Sequence, residues 1–212
     1  MSPRPYQLGR RQAAVDATRA KVIRAARELL TEPAGSPAFG IDAVAKRADV
    51  ARATVYYQFG SKSGLLEALF DALADGGGMD RLAASFTKPD PLDGLRHFVS
   101  CFGRFWSSDR LALRRVRALA ALDPDVGQVV AARDERRRLG LNVLLGRIAA
   151  DKRAGAGAPD GTPVHGVLAR QVRIAHVLTS FETFDALAGP DQEPDDVVPL
   201  IVDLVLRLIG HT

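Results

Sequence analysis

Two short amphipathic segments joined by a tight connection constrain this fold more than any other feature of the sequence. Ile41–Ala48 and Arg52–Phe59 each carry apolar side chains at helical spacing. The connection at Asp49-Val50 leaves room only for a sharp turn between two helices. Ala45 and Ala48 are small enough to let the two helices cross closely. The pattern therefore predicts a helix-turn-helix.

Longer helices are predicted on both sides of this motif. Asp16–Thr31 and Lys62–Asp75 show apolar stripes of period 3.6, and Gly76-Gly77-Gly78 closes the module. Ala and Leu are abundant, and alternating β-branched runs are hard to find, which favours an all-α chain. The helices expected after the module are Pro91–Ser107, Asp109–Leu122, Pro124 to about Lys152, Pro163–Ala188 and Pro194–Ile209.

Three regions follow from this pattern. Residues 1–15 are predicted to be a flexible basic arm. Residues 16–75 are predicted to be a DNA-binding domain built on a three-helix helix-turn-helix, which Lys62–Asp75 follows as a fourth helix. Residues 80–212 are predicted to be a helical C-terminal domain. Residues 1–64 carry eleven Lys and Arg against five Asp and Glu, whereas the remainder has a slight acidic excess. A basic module on a mildly acidic body is typical of proteins that bind DNA, although a solvated basic surface is the alternative.

The second helix of the motif carries side chains suited to reading a DNA groove. Arg52, Thr54, Tyr57 and Gln58 are predicted to point outward, while Val55 points inward. A cation, a hydroxyl, a phenol and an amide can each hydrogen-bond base edges or phosphates in the major groove.

In the region of this motif the sequence closely resembles the tetracycline-repressor (TetR) family. The resemblance covers about residues 16–75. The residues that carry it are Ile41–Ala48, Val50, Thr54-Val55-Tyr56-Tyr57-Gln58-Phe59, Ser61-Lys62 and Leu65-Leu66. It implies an all-helical homodimer that binds a DNA operator, with a C-terminal domain whose small effector weakens DNA binding. It also implies that Thr54 and Tyr57 face bases or nearby phosphates, and that Tyr56 and Lys62 contact phosphates.

The chain departs from the family pattern in its turn and its helix caps. Asp49 stands where the family usually has Gly, and Asp tolerates the left-handed backbone better than most residues. Gly40 and Ala51 stand where Ser or Thr usually precedes each helix; Gly is an acceptable N-cap and Ala a poor one. Gln58 replaces a more usual His and keeps a hydrogen-bonding side chain.

Aromatic residues gather in one helix of the predicted C-terminal domain. Phe98, Phe102 and Phe105 share a helix face and Trp106 lies beside it. They are predicted to form one wall of an apolar effector pocket, with His176, Phe181 and Phe184 on the opposite side. Ordinary core packing is the alternative.

The end of the chain is apolar on more than one helix face. A helix of this kind must be buried, and a subunit interface is the expected place. The residues predicted to lie in the dimer interface are Phe181, Phe184, Ile201, Leu204, Val205 and Leu208.

Other classes of protein have little support. The sequence has no Gly-rich phosphate loop, nucleophile elbow or zinc-protease motif, so we expect no enzyme, cofactor or metal site. His97 and Cys101 share a helix face but lack a third ligand. The single cysteine and the absence of a long apolar run favour a cytoplasmic protein that does not span a membrane. Two alternatives stay open, namely a regulator without an effector, and an enzyme or small-molecule carrier with an incidentally basic N-terminus.

Overall fold

The computed structural model describes residues 4–32, 39–156 and 165–210, and the regular structure in these ranges is entirely helical. The all-α prediction is confirmed. The first helices are α1 (Arg4–Thr31), α2 (Ile41–Arg47), α3 (Arg52–Phe59), α4 (Lys62–Gly76), α5 (Ala84–Thr87) and α6 (Pro91–Ser108). The later helices are α7 (Arg110–Ala120), α8 (Pro124–Ala156), α9 (His165–Leu178), α10 (Phe181–Ala188) and α11 (Val198–Leu208). Short 3₁₀ helices at Met79–Ala83 and Pro194–Val197 precede α5 and α11.

The chain forms two compact units. The first, which we call the N-terminal unit, contains residues 1–72 and 114–129, and the second, the C-terminal unit, contains residues 73–113 and 130–212. The division expected from the sequence put residues 114–129 with the C-terminal domain. They join the N-terminal unit because Arg115 donates hydrogen bonds to the carbonyls of Leu30 and Glu32 near the end of α1. No periodic pattern signals a bond between segments so far apart in sequence.

The core of the N-terminal unit is built from the apolar faces of its helices. The buried side chains include Val22, Ala26, Leu29 and Leu30 of α1, Val44, Ala45 and Ala48 of the α2 region, Val55 of α3, and Leu65, Leu66 and Leu69 of α4. Complete burial of each Val or Leu side chain in this set contributes roughly 1.5–3 kcal/mol to stability. This core fixes α2, α3 and α4 against α1 and leaves the other side of α3 to solvent.

The core of the C-terminal unit centres on α6 and α8. Its fully buried residues include Leu95, Phe98, Leu113, Leu141, Leu144, Leu145, Phe184 and Ile201. A Cβ at Gly94 would collide with the carbonyl oxygen of Ser85, and one at Gly140 would lie 2.9 Å from the Phe98 ring. These two glycines therefore let α6 approach the α5 segment and α8 approach α6.

The structure corrects two expectations about helix boundaries. α1 begins at Arg4, so the predicted flexible arm is helical from that residue onward. Residues 12–17 are exposed, so this part of α1 lacks the apolar pattern by which buried helices are recognised. Local helix propensity extends α1 there instead. The single helix predicted over Pro163–Ala188 is two helices, because Ser180 has extended backbone and its hydroxyl caps α10 by accepting from the Thr183 amide.

Candidate nucleic-acid interface

The turn between α2 and α3 is closed by backbone hydrogen bonds and one unusual residue. The amide of Val50 donates to the Ala45 carbonyl at 3.0 Å, and that of Asp49 donates to the Lys46 carbonyl at 3.2 Å. Asp49 has φ of 47°, in the left-handed region that glycine adopts most readily. The expectation that Asp49 accommodates the turn in place of Gly is confirmed.

The N-termini of α2 and α3 lack side-chain caps. Gly40 and Ala51 occupy the two N-cap positions, and neither offers a side-chain hydrogen bond. α4 differs, because the hydroxyl of Ser61 accepts from the Gly64 amide at 3.0 Å. A Cβ at Gly64 would collide with the Phe59 carbonyl oxygen, so glycine allows α4 to begin directly against the end of α3.

The face of α3 opposite the core is open to solvent. Val55 is fully buried, whereas Tyr57 is 84% and Tyr56 40% exposed. Arg52 is also exposed, and Thr54 and Gln58 are partly exposed. Tyr57 and Leu122 are equally exposed, and the hydroxyl of Tyr57 gives the open face of α3 a group that can both donate and accept a hydrogen bond. The outward orientation expected for α3 is therefore present in the structure.

Arg52 is tethered to two neighbours. Its guanidinium lies 3.1 Å from the Asp42 carboxylate on α2 and donates to the Tyr56 hydroxyl at 3.3 Å. The guanidinium carbon also lies 5.5 Å from the centre of the Tyr56 ring. The Tyr56 hydroxyl, followed by the Asp42 charge, raises the pKa of Arg52 above its usual value. Arg52 thus holds the phenol of Tyr56 while remaining a cation on the open face.

Lys62 at the start of α4 has a partner that sequence reasoning missed. Its ammonium forms an ion pair with the carboxylate of Asp123, in the connection between α7 and α8. The other carboxylate oxygen of Asp123 caps α8 by accepting from the Asp125 amide at 3.1 Å. The hydrogen bond from Lys62 is the main reason why the pKa of Asp123 is lowered. No local motif could have signalled this pair, because 61 residues separate its members.

Comparison with known proteins decides the class of this module. The sequence model described as "Bacterial regulatory proteins, tetR family" matches residues 22–69, which span most of α1 through most of α4. Residues 22–69 therefore match the TetR family. No curated protein sequence matches the chain significantly.

Solved structures extend the TetR-type likeness to most of the chain. PfmR of Thermus thermophilus, a TetR family transcriptional regulator, is 20% identical with a TM-score of 0.58, over 88% of this chain and 97% of PfmR. NalD of Pseudomonas aeruginosa is 17% identical with a TM-score of 0.63, over 92% of this chain and 96% of NalD. FadR of Bacillus halodurans is 17% identical with a TM-score of 0.59, over 92% and 97% of the two chains. These likenesses show that the chain has the TetR fold.

The aromatic residues predicted to bind an effector form a compact cluster in the C-terminal unit. Ring centres are 4.8 Å apart for Phe98 and Phe102, 5.6 Å for Phe102 and Trp106, and 4.7 Å for Phe105 and Trp106. All four side chains are buried, and Phe181 meets Trp106 edge to face. The structure therefore brings these residues together, and their role in binding an effector remains a prediction.

A buried polar group lies beside these aromatic rings. Arg137 donates to the Thr179 hydroxyl at 2.9 Å and to the His176 carbonyl at 2.5 Å, and its guanidinium carbon lies 5.9 Å from the Phe102 ring centre. Burial, and then the charge of Arg137, lowers the pKa of His176, which favours the neutral imidazole. The sequence drew attention to His176 but not to Arg137.

The residues predicted to form a dimer interface divide into two groups. Phe181, Phe184, Ile201 and Val205 are buried within the chain itself, whereas Leu204 and Leu208 are partly exposed. Exposed apolar side chains that sequence reasoning did not select include Val177 on α9, Leu187 on α10 and Leu200 on α11. The participation of the six predicted residues in a dimer stays a prediction.

The histidine and cysteine on α6 make contacts within the protein. His97 lies 2.9 Å from the Ser85 hydroxyl and 3.8 Å from the Cys101 sulfur. Burial raises the pKa of the Cys101 thiol, although Arg104 acts in the opposite direction. The raised pKa disfavours the reactive thiolate. Within the described ranges, no three His, Cys, Asp or Glu side chains are grouped so as to bind a metal ion. Nor is any helix there long and apolar enough to cross a membrane.

Proposed function

We propose that this chain is a cytoplasmic transcriptional repressor of the TetR type. In this proposal it binds double-stranded operator DNA as a homodimer and releases it when a small, largely apolar effector binds. The observation that carries the proposal is the solvent-exposed face of α3, with Tyr57 84% exposed, in a module that matches the TetR family. The similar protein NalD is described as the secondary repressor of a multidrug efflux pump, which supports repression.

In this proposal α3 is the recognition helix, and α3 together with the start of α4 supplies both kinds of DNA contact. Thr54 and Tyr57, with Arg52 and Gln58 beside them, face base edges in the major groove. Tyr56 and Lys62 contact phosphates and so set the register of the helix on the duplex. Two copies related by a two-fold axis read a palindromic operator, with the recognition helices about 34–36 Å apart, one turn of DNA.

DNA selection from a random duplex library tests the first part of the proposal. We expect enrichment of one palindromic sequence, and a gel shift of that duplex that survives excess random-sequence competitor. Light scattering should report twice the mass of one chain. A chain that enriches no sequence contradicts specific DNA binding, and a stable monomer that binds the selected duplex tightly contradicts the dimer.

The effector site is proposed at the aromatic cluster of Phe98, Phe102, Phe105 and Trp106, with His176 nearby. Its chemistry supports an apolar ligand, because four rings provide a large hydrophobic surface. Arg137 adds a buried polar group that can orient a ligand. The ligand changes DNA affinity only if it binds one conformation of the dimer better than the other. A coupling of about 1–3 kcal/mol corresponds to a roughly 5- to 150-fold loss of operator affinity.

Two other functions are distinguished by simple measurements. A thermal-shift screen of apolar small molecules separates an effector-responsive repressor from a regulator that has no effector. The DNA selection described above separates both from an enzyme or carrier whose basic N-terminal residues are incidental. A compound that raises the melting temperature and also releases operator DNA supports the repressor.

A further inference from the structure

Two basic side chains of α1 contact the helix-turn-helix itself. Arg19 and Lys21 are among the basic residues whose number favours DNA binding in the first 64 positions. The structure shows both of them engaged with backbone groups of the motif rather than projecting freely into solvent. Lys21 contacts the turn before α3, and Arg19 contacts the C-terminal end of α3.

Arg19 binds the C-terminal end of α3. Its Nη1 donates to the Gln58 carbonyl at 3.1 Å, and its guanidinium carbon lies 4.6 Å from the centre of the Phe59 ring. The last carbonyls of a helix have no partners within the helix, and a cation there also interacts favourably with the helix dipole. Arg19 thus satisfies one of these carbonyls and packs on the aromatic ring that ends α3.

Lys21 binds the turn that precedes α3. Its ammonium donates to the Asp49 carbonyl at 3.3 Å and lies 3.6 Å from the Asp49 carboxylate. Among the residues that the structure describes, Asp49 is the one non-glycine residue with a positive φ. This conformation is unfavourable for residues with a Cβ. Lys21 therefore contacts this turn through both the backbone and the side chain of the same residue.

We propose that Arg19 and Lys21 are positioning residues of the recognition helix and not phosphate ligands. Arg19 fixes the end of α3, Lys21 fixes the turn before it, and together they set the angle at which α3 meets a groove. This inference rests on the proposed function, because it concerns how well α3 discriminates one duplex from another. The proposal divides the basic residues of the module into those that attract DNA and those that orient α3.

The first experiment compares Arg19→Gln with Arg24→Gln in the full-length protein. Both changes remove one cation from α1, and Arg24 is exposed. Fluorescence anisotropy measures affinity for the selected operator and for a scrambled duplex of equal length at several salt concentrations. We expect Arg19→Gln to lower the operator-to-scrambled affinity ratio about tenfold, the effect of losing one charge-assisted hydrogen bond. We expect Arg24→Gln to change both affinities by the same factor.

The salt dependence distinguishes positioning from phosphate binding. A lost phosphate ligand flattens the slope of log affinity against log salt by about 0.9 per subunit and weakens both duplexes alike. A lost positioning residue leaves the slope unchanged. The affinity ratio is insensitive to partial unfolding, because the fraction of active protein cancels. An unchanged ratio or a flattened slope for Arg19→Gln overturns the proposal.

The second experiment tests Lys21 by rescue. Lys21→Met should lower the affinity ratio, and adding Asp49→Gly should restore it, because glycine adopts positive φ without steric cost. Restoration would not follow if Lys21 served as a phosphate ligand, so failure of the rescue overturns its positioning role. The wild-type protein is measured first. If it prefers neither duplex, the proposed function itself fails and the positioning roles fail with it.

Discussion

Replacing Asp123 with Asn should strengthen DNA binding, because Asp123 neutralises the lysine proposed to contact phosphate. The Lys62–Asp123 ion pair is present in the protein without DNA. A phosphate must therefore compete with the carboxylate for Lys62 or share the ammonium with it. Asn removes the negative charge and remains as good an N-cap as Asp, so the hydrogen bonds that begin α8 can persist.

The size of the effect follows from the partial exposure of the pair. The two side chains are 24% and 21% exposed, so the interaction is screened by water to a considerable degree. Ion pairs near a surface contribute about 0.2–1 kcal/mol each. Two pairs in a dimer therefore correspond to roughly 2- to 30-fold tighter binding, for operator and random duplexes alike. The salt slope should steepen by up to about 0.9 per subunit as Lys62 becomes a free cation.

Anisotropy titrations at several salt concentrations measure both quantities. Asp125→Asn is the matched control, since it removes an exposed carboxylate two residues away. Lys62→Ala should weaken binding to all duplexes, and in the Asp123→Asn background it should flatten the slope by about one unit per subunit. If Asp123→Asn changes neither affinity nor slope more than Asp125→Asn does, Lys62 is not a phosphate ligand.

Three further predictions concern the same molecule. The stability that the lowered pKa of Asp123 provides is fully present above its ordinary value of 3.8 and is lost as pH falls through the lowered folded value. The free energy of unfolding of the wild type should therefore exceed that of Asp123→Asn, and this difference should shrink only below about pH 4. Urea titrations that give the same difference at every pH would contradict the Lys62–Asp123 ion pair. Tyr57→Ala should change the bases preferred in DNA selection, whereas an unchanged preference would remove Tyr57 from base reading. Effector binding should alter Trp106 fluorescence in step with operator release. An inducer that leaves Trp106 emission fixed, and whose affinity is unaffected by Phe102→Ala, must bind elsewhere.

The helix-turn-helix module was readable from sequence because its signals are local. α2, α3 and α4 begin where the apolar periodicity begins, and the Ser61 cap and the left-handed Asp49 each follow from the chemistry of one residue. The exposure of Tyr57 follows from the burial of Val55 on the other face of a short helix.

Features that depend on distant partners were not readable in this way. Asp123 and Lys62 are 61 positions apart, and each belongs to a segment whose own pattern is ordinary. Arg137 lies in a charged run that resembles a solvated helix face, yet it is 3% exposed. The break at Ser180 interrupts an apolar pattern that continues on both sides, because the cap hydroxyl that creates it gives a weaker signal than the periodicity.

The uncapped start of α3 has a consequence for the dynamics of the free protein. Ala51 offers no side-chain acceptor, so the first backbone amides of this eight-residue helix have no side-chain cap. Short helices fray most readily at ends of this kind, and amide hydrogens there exchange with solvent before those of the buried core. A negatively charged phosphate is the ligand that such amides bind best. Contact with DNA would then complete the recognition helix, so that part of its order would come from the duplex it reads.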